Sequence, residues 1–295
     1  MFIEDAWSEV KIMDKRELID LFFRDKGNRY AKTSNKQLSI AIEDFFSFTD
    51  SEILHIKRRT ILDWLSYLKK DRHLKPISIN LKLWGIRAFF NYCVEENIIE
   101  DSPVRQIKPL KVEKGLPRPI DNEYIFAMKD SSAGNIKYRA IIETLECTGI
   151  RLSELLGIDL EDIRWDERII LIRNAKGGFQ RFVPFTAKCG ELIQEYLAIR
   201  PSERDTNALF LNQCKKRYHA MGIQYIVNKY RVIVAPLSRI TPHMFRHSYA
   251  TKLLEKEAST QVIATLMGIK DIQNVGIYAK SSYKLRKKQY EKYKR

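Results

Sequence analysis

Four short segments in the second half of the chain carry residue types suited to chemistry on a phosphodiester. They are Thr148-Gly149-Ile150-Arg151-Leu152-Ser153-Glu154-Leu155, Lys176-Gly177-Gly178, Thr241-Pro242-His243-Met244-Phe245-Arg246-His247 and Gly276-Ile277-Tyr278. Two arginines, a lysine and a histidine can hold the negative charge of a phosphate without a metal. A tyrosine can act as a nucleophile that keeps a phosphate covalently. None of the four is specific alone; their joint order and spacing are.

Arg151 and Glu154 are three apart on an expected short helix and share a face, so Glu154 can brace the arginine. Thr241-Pro242 reads as a cap followed by proline at the first helical position, which puts His243 and Arg246 on one face near a positive helix end. His243 can donate to a phosphate oxygen or take a proton. His247 reads as structural. Lys176 sits at a glycine-bearing hairpin tip, where its amine can reach a leaving oxygen. A phenol such as Tyr278 is a poor nucleophile at neutral pH and needs arginines and a base around it. Each feature has a plainer reading in isolation: a surface ion pair, a satisfied core histidine, a solvated turn lysine, one tyrosine among 14.

The elements that must position these groups are mostly helical. Residues 14–103 show stripes at helical spacing: Leu18, Ile19, Leu21 and Phe22; Leu38, Ile42, Phe45 and Phe46; Ile61, Leu62, Leu65 and Leu68; and Leu81, Leu83, Ile86, Phe89, Phe90 and Cys93. Thr60 and Ser78 read as caps of the third and fourth helices. The helix starts are polar and basic, with Lys32, Thr33, Ser34 and Lys36 at one. Arg58 stands at another, and Asn80, Lys82 and Arg87 follow Ser78. Such starts grip DNA phosphates, or are simply solvated. From 104 to 119, Pro103, Pro109, Pro117 and Pro119 flank or interrupt a run bearing Lys108, Lys111 and Lys114, which reads as a basic interdomain linker. Beyond Ile120 helices return, interrupted by strand-like Arg168–Arg173 and Phe179–Pro184 around a turn at 174–178. The tail from 279 to 295 is basic and helical in propensity.

Composition agrees with a polyanion partner. The 295 residues carry 52 Lys and Arg against 37 Asp and Glu, a net charge of +15. Cys93, Cys147, Cys189 and Cys214 form no close pair, and the five histidines lack metal spacing, so no cofactor or metal is expected. The unpaired thiols suit a reducing cytoplasm, which is the expected location, and no secretory signal or membrane-length apolar run is visible.

These segments resemble the boxes of the tyrosine recombinases, the phage-integrase family that includes the Xer recombinases. Arg151 lies in a segment similar to the family's first arginine box, and Lys176 in one similar to its hairpin lysine. Thr241–Thr251 resembles the His-x-x-Arg box almost residue for residue, and Tyr278 falls where the family keeps its nucleophile. Residues 32–103, notably Ile79-Asn80 to Asn91-Tyr92, resemble its helical core-binding domain. One position departs. The family places His or Trp after Leu-Gly, and this chain reads Met267-Gly268-Ile269, with Lys270 as a possible substitute.

The resemblance implies a mainly α protein. A SAM-like helical core-binding domain (1–103) and a linker (104–119) would lead to a mostly α catalytic domain (120–278) with a small β-hairpin or sheet. The two domains would form a C-shaped clamp on DNA, and the tail (279–295) would dock on a neighbouring protomer. It further implies site-specific recombination through a 3′-phosphotyrosyl link, in chromosome-dimer resolution or mobile-element movement. Arg151, Lys176, His243, Arg246 and Tyr278 would be the catalytic set. Homodimers would sit on inverted half-sites of double-stranded DNA and synapse as homotetramers, with an accessory protein as an option. Two rivals remain: a type IB topoisomerase-like relaxase, and a DNA-binding accessory factor with catalysis weakened at Ile269.

Overall fold

The computed structural model describes residues 14–112, 119–173, 180–202, 206–276, 278, 287, 290, 291 and 294. The chain forms two compact units that part between Lys114 and Gly115. It is mainly helical, as expected, with one small antiparallel sheet among the described residues.

The described part of the first unit is built from α1 (Lys15–Lys26), α2 (Lys32–Phe48), α3 (Arg58–Lys70) and α4 (Pro76–Glu95). Apolar residues spaced three and four apart bury one face of each helix. Leu38, Ala41, Ile42 and Phe45 line α2, and Ile61, Trp64, Leu65 and Leu68 line α3. Edge-on aromatic contacts bind the centre: Phe45 meets Trp64 at 5.2 Å and Phe90 at 6.0 Å between ring centroids.

Two helix starts differ from expectation. α3 begins at Arg58 with Lys57 at its cap, and α4 begins at Pro76 with Lys75 at its cap, so Thr60 and Ser78 lie inside the first turns. Extended backbone at Lys57 and Lys75 opens each helix, and Pro76 at the first position of α4 presets the helical φ and has no N–H to leave unpaired. Residues 104–110 of the expected linker pack on the first unit. Val104 and Ile107 are buried in the first core, and Leu110 packs against it. The stretch opens with turns, Arg105 N–H to the Ser102 carbonyl and Ile107 N–H to that of Val104, and three apolar residues at intervals of three anchor it to the helices.

The second unit contains α5 (Asn122–Ser131), α6 (Ile136–Thr148) and α7 (Leu152–Leu156), then β1 (Ile163–Arg164), β2 (Ile169–Ile172) and β3 (Arg181–Pro184). After these come α8 (Ala187–Ile199), α9 (Ala220–Val234), α10 (Pro242–Glu255) and α11 (Thr260–Met267). α6 is buried nearly all round and forms the axis of the core. The strands run in the order β1-β2-β3, with Ile170 opposite both Ile163 and Val183. β2 and β3 fall within the expected hairpin; β1, two residues long, is additional. The turn between them, with Lys176, lies outside the described residues, as does most of the basic tail. No described helix is long and apolar enough to cross a membrane.

Candidate active site

The first arginine segment is shaped by a helix ending. α6 closes at Gly149, whose φ of 60° is left-handed and whose N–H donates to the Leu145 carbonyl. A Cβ at Gly149 would also lie 2.4 Å from the Tyr249 ring, so glycine is required twice over. The chain then turns so that Arg151 caps α7.

Glu154, two residues into that helix, is the hub of the site. Its side chain is wholly buried. Its Oε1 accepts from Arg151 Nη1 at 2.7 Å and Arg181 Nη1 at 2.9 Å. Its Oε2 accepts from the Arg151 backbone N–H and Arg181 Nη2, both at 2.8 Å. Burial pushes this carboxyl up, but bonds and charge from Arg181 and Arg151 prevail and hold it at about 2.

Three guanidinium groups converge on the end of α11. Arg181 Nε donates to the Leu266 carbonyl at 3.0 Å, Arg246 Nη2 to Met267 at 2.6 Å and Arg151 Nη2 to Gly268 at 2.9 Å. The last carbonyls of a helix lack partners within it and carry the negative end of its dipole, so they attract cations. Arg246 also donates Nη1 to the Gly149 carbonyl at 2.9 Å, which ties α10 to the first arginine segment. Arg246 is almost fully buried. Burial, then the charge of Arg151, lower it to about 10, and it stays charged at neutral pH.

Tyr278 joins this cluster. Its ring is 5.3 Å from that of His247, which is 4.4 Å from His243. Burial raises the phenol pKa, while the charges of Arg246 and Arg151 and a hydrogen bond with Arg246 oppose the rise. Burial and the same two arginines lower His243, which is exposed at its edge and neutral at pH 7. His247 falls to about 4 through burial, then His243 and Arg246. Its Nδ1 is buried without a hydrogen-bond partner.

Of the residues singled out in the sequence, Arg151, Glu154, His243, Arg246 and Tyr278 are thus brought together. Lys176 lies outside the described residues. Ile269 packs against the apolar cluster of Ala250, Leu254, Ile263, Ala264, Met267, Val275 and Tyr278. It offers no side-chain donor. Lys270 is exposed beside it. Arg181 was not singled out from the sequence. A signal was present: on a strand, position 181 shares the face of fully buried Val183, and an arginine on that face needs a buried partner.

The basic residues of the first unit divide into two groups. Lys32, Thr33, Lys36, Arg58, Lys108 and Lys111 are exposed, and Ser34 is half-buried at the start of α2. Asn80, Lys82 and Arg87 are engaged internally. Asn80 exchanges two hydrogen bonds with the Leu110 backbone, Arg87 donates to the Ile107 carbonyl, and Lys82 pairs with Asp44 at 3.0 Å. These three hold residues 104–110 and α2 against α4.

Residues 121–284 match the phage integrase family. The chain is 32% identical, over 74% of its length and 74% of the relative's, to a protein named tyrosine recombinase XerC from Psychromonas ingrahamii. It is 30% identical to the XerC of Leptospira interrogans, over 89% of this chain and 88% of that one. Among solved structures, XerH recombinase bound to a palindromic difH substrate in a post-cleavage complex aligns with a TM-score of 0.76 at 20% identity. That alignment covers 96% of this chain and 85% of XerH. The chain belongs to the phage integrase family. It is a Xer-like tyrosine recombinase, an enzyme that breaks and rejoins DNA in site-specific recombination.

Proposed function

We propose that Tyr278 attacks a scissile phosphate held by Arg151, Arg246 and His243. The attack forms a 3′-phosphotyrosyl link and frees a 5′-hydroxyl, whose oxygen Lys176 protonates. The 5′-hydroxyl of a partner duplex then displaces the tyrosine, and the bond energy stored in the protein–DNA link drives rejoining. The observation that carries this reading is the convergence of Arg151, Arg246 and Tyr278 around the end of α11. A phosphate arriving there meets preorganised positive charge, which is where a metal-free site gains most of its rate.

In this reading the enzyme works in the cytoplasm on double-stranded DNA with inverted half-sites, as a homodimer on each site and a homotetramer in synapsis. The exposed Lys32, Thr33, Lys36, Arg58, Lys108 and Lys111, with Ser34, hold the phosphate backbone. The tail docks on a neighbouring protomer. The XerC name of the relatives fits chromosome-dimer resolution.

Covalent trapping tests the chemistry. Duplexes enriched from a random pool by the full-length protein, nicked so that cleavage cannot reverse, are incubated with wild type and with Tyr278→Phe. Wild type is expected to give a denaturant-resistant adduct, and the variant to bind with the same affinity and give none. Binding without adduct from wild type would sink the reading.

A further inference from the structure

We propose that Arg181 is a positioning residue of this site, acting through Glu154 to aim Arg151 at the phosphate and to lock the end of α11. The proposal rests on the reading of Arg151 as a phosphate ligand. A carboxylate has about four lone-pair sites. Those of Glu154 accept two donors from Arg151 and two from Arg181, so the two arginines are fixed against each other through one buried group. The third bond of Arg181, from Nε to the Leu266 carbonyl, ties β3 to the last turn of α11. The next two carbonyls, of Met267 and Gly268, receive Arg246 and Arg151.

Gly268 supplies an independent sign that the fit is specific. It takes a left-handed φ of 61°, and the place a Cβ would occupy is filled by the Arg181 guanidinium, 2.9 Å from Nη1. The side chain of Arg181 is about nine-tenths buried, and its three bonded nitrogens point into protein. It therefore acts on substrate only through its neighbours. Buried ion pairs are poor sources of stability, since apolar replacements often match them. A fork of fixed geometry joining β3, the end of α11 and a catalytic guanidinium serves alignment instead.

The test is a double-variant cycle on single-turnover cleavage of the nicked duplexes enriched by wild type. Arg181→Met and Arg151→Lys are measured alone and together in the full chain. Arg181→Met is expected to slow adduct formation about 10²-fold, the scale of a misaligned catalytic group, with DNA affinity within about threefold of wild type. In the Arg151→Lys background the added loss is expected to be clearly smaller, because much of what Arg181 does passes through the group already altered. Losses that multiply, or a single variant as fast as wild type, overturn the proposal while leaving the recombinase chemistry intact. Failure of wild type itself to form adduct removes both. If Arg181→Met melts below the assay temperature, Arg181→Lys takes its place. A lysine keeps the charge but reaches one oxygen, so it is expected to lose rate in the same background-dependent way; a full rate from it overturns the proposal.

Discussion

At the residue scale the site sets protonation states by burial and by crowded arginines. His243 and His247 are both lowered, so the row His243–His247–Tyr278 is neutral at pH 7 and His243 has a lone pair to offer. For His247 the folded value of about 4 lies below its ordinary 6.5. The unfolded chain therefore takes up the proton first as pH falls. Stability is full above about 6.5 and is lost progressively as the pH drops through 4. Glu154, held at about 2, adds a second loss at lower pH, as the medium passes below its ordinary 4.5 towards 2. Thermal melts between pH 7.5 and 4.5 check the first phase, which His247→Gln is expected to flatten. Ile269 makes the other prediction at this scale. A histidine there would add one donor to the developing charge, and such donors are worth about 10²–10³ in rate. Ile269→His is expected to speed single-turnover cleavage by up to about 10²-fold. An unchanged or slower rate would show that the apolar contact with the Tyr278 cluster matters more.

At the element scale, helix ends do the work. Two left-handed glycines, Gly149 and Gly268, stop α6 and α11 so that their final carbonyls face Arg246 and Arg151. Gly268→Ala combines strain at φ 61° with a collision against Arg181. It is expected to cost about 1–3 kcal/mol of stability and to slow cleavage more than DNA binding, as read from melting and from the adduct rate beside a gel-shift affinity. In the first unit, the strap from Ser102 to Leu110 is held by Val104, Ile107 and the Asn80 clamp. Ile107→Ala is expected to destabilise that unit by about 2–5 kcal/mol. A denaturation midpoint equal to wild type would place the strap outside the cooperative core.

Over the whole molecule, charge dominates. An excess of 15 positive charges makes association with DNA strongly salt-dependent, because each neutralised phosphate releases a condensed counterion. The logarithm of the affinity is expected to fall linearly with the logarithm of salt concentration. Arg58→Ala, at the exposed start of α3, is expected to reduce that slope by about 1. Lys82→Ala, whose ammonium is spent on Asp44, is expected to leave it unchanged. Equal slopes for both variants would remove α3 from the DNA-binding surface. The division between spent and exposed cations is a property of the fold, since residue type alone does not separate Lys82 from Lys32 or Arg87 from Arg58.

The sequence by itself determined the four chemical segments, their order and the helical faces of the first unit. These depend on residue type and on spacings of two to four, which local geometry converts directly into faces and turns. The tertiary structure decided what those segments touch. Arg181 meets Glu154 across 27 residues, and Arg151 meets the Gly268 carbonyl across 117. No local pattern specifies which arginine a buried carboxylate will take, or that three guanidinium groups will share the end of one helix. The same holds for Asn80, Lys82 and Arg87. Their types suit DNA, but chain entropy already lost in packing α4 makes the nearby Leu110, Ile107 and Asp44 their partners. Side chains near each other in the fold pair first, and only the folded chain defines that nearness.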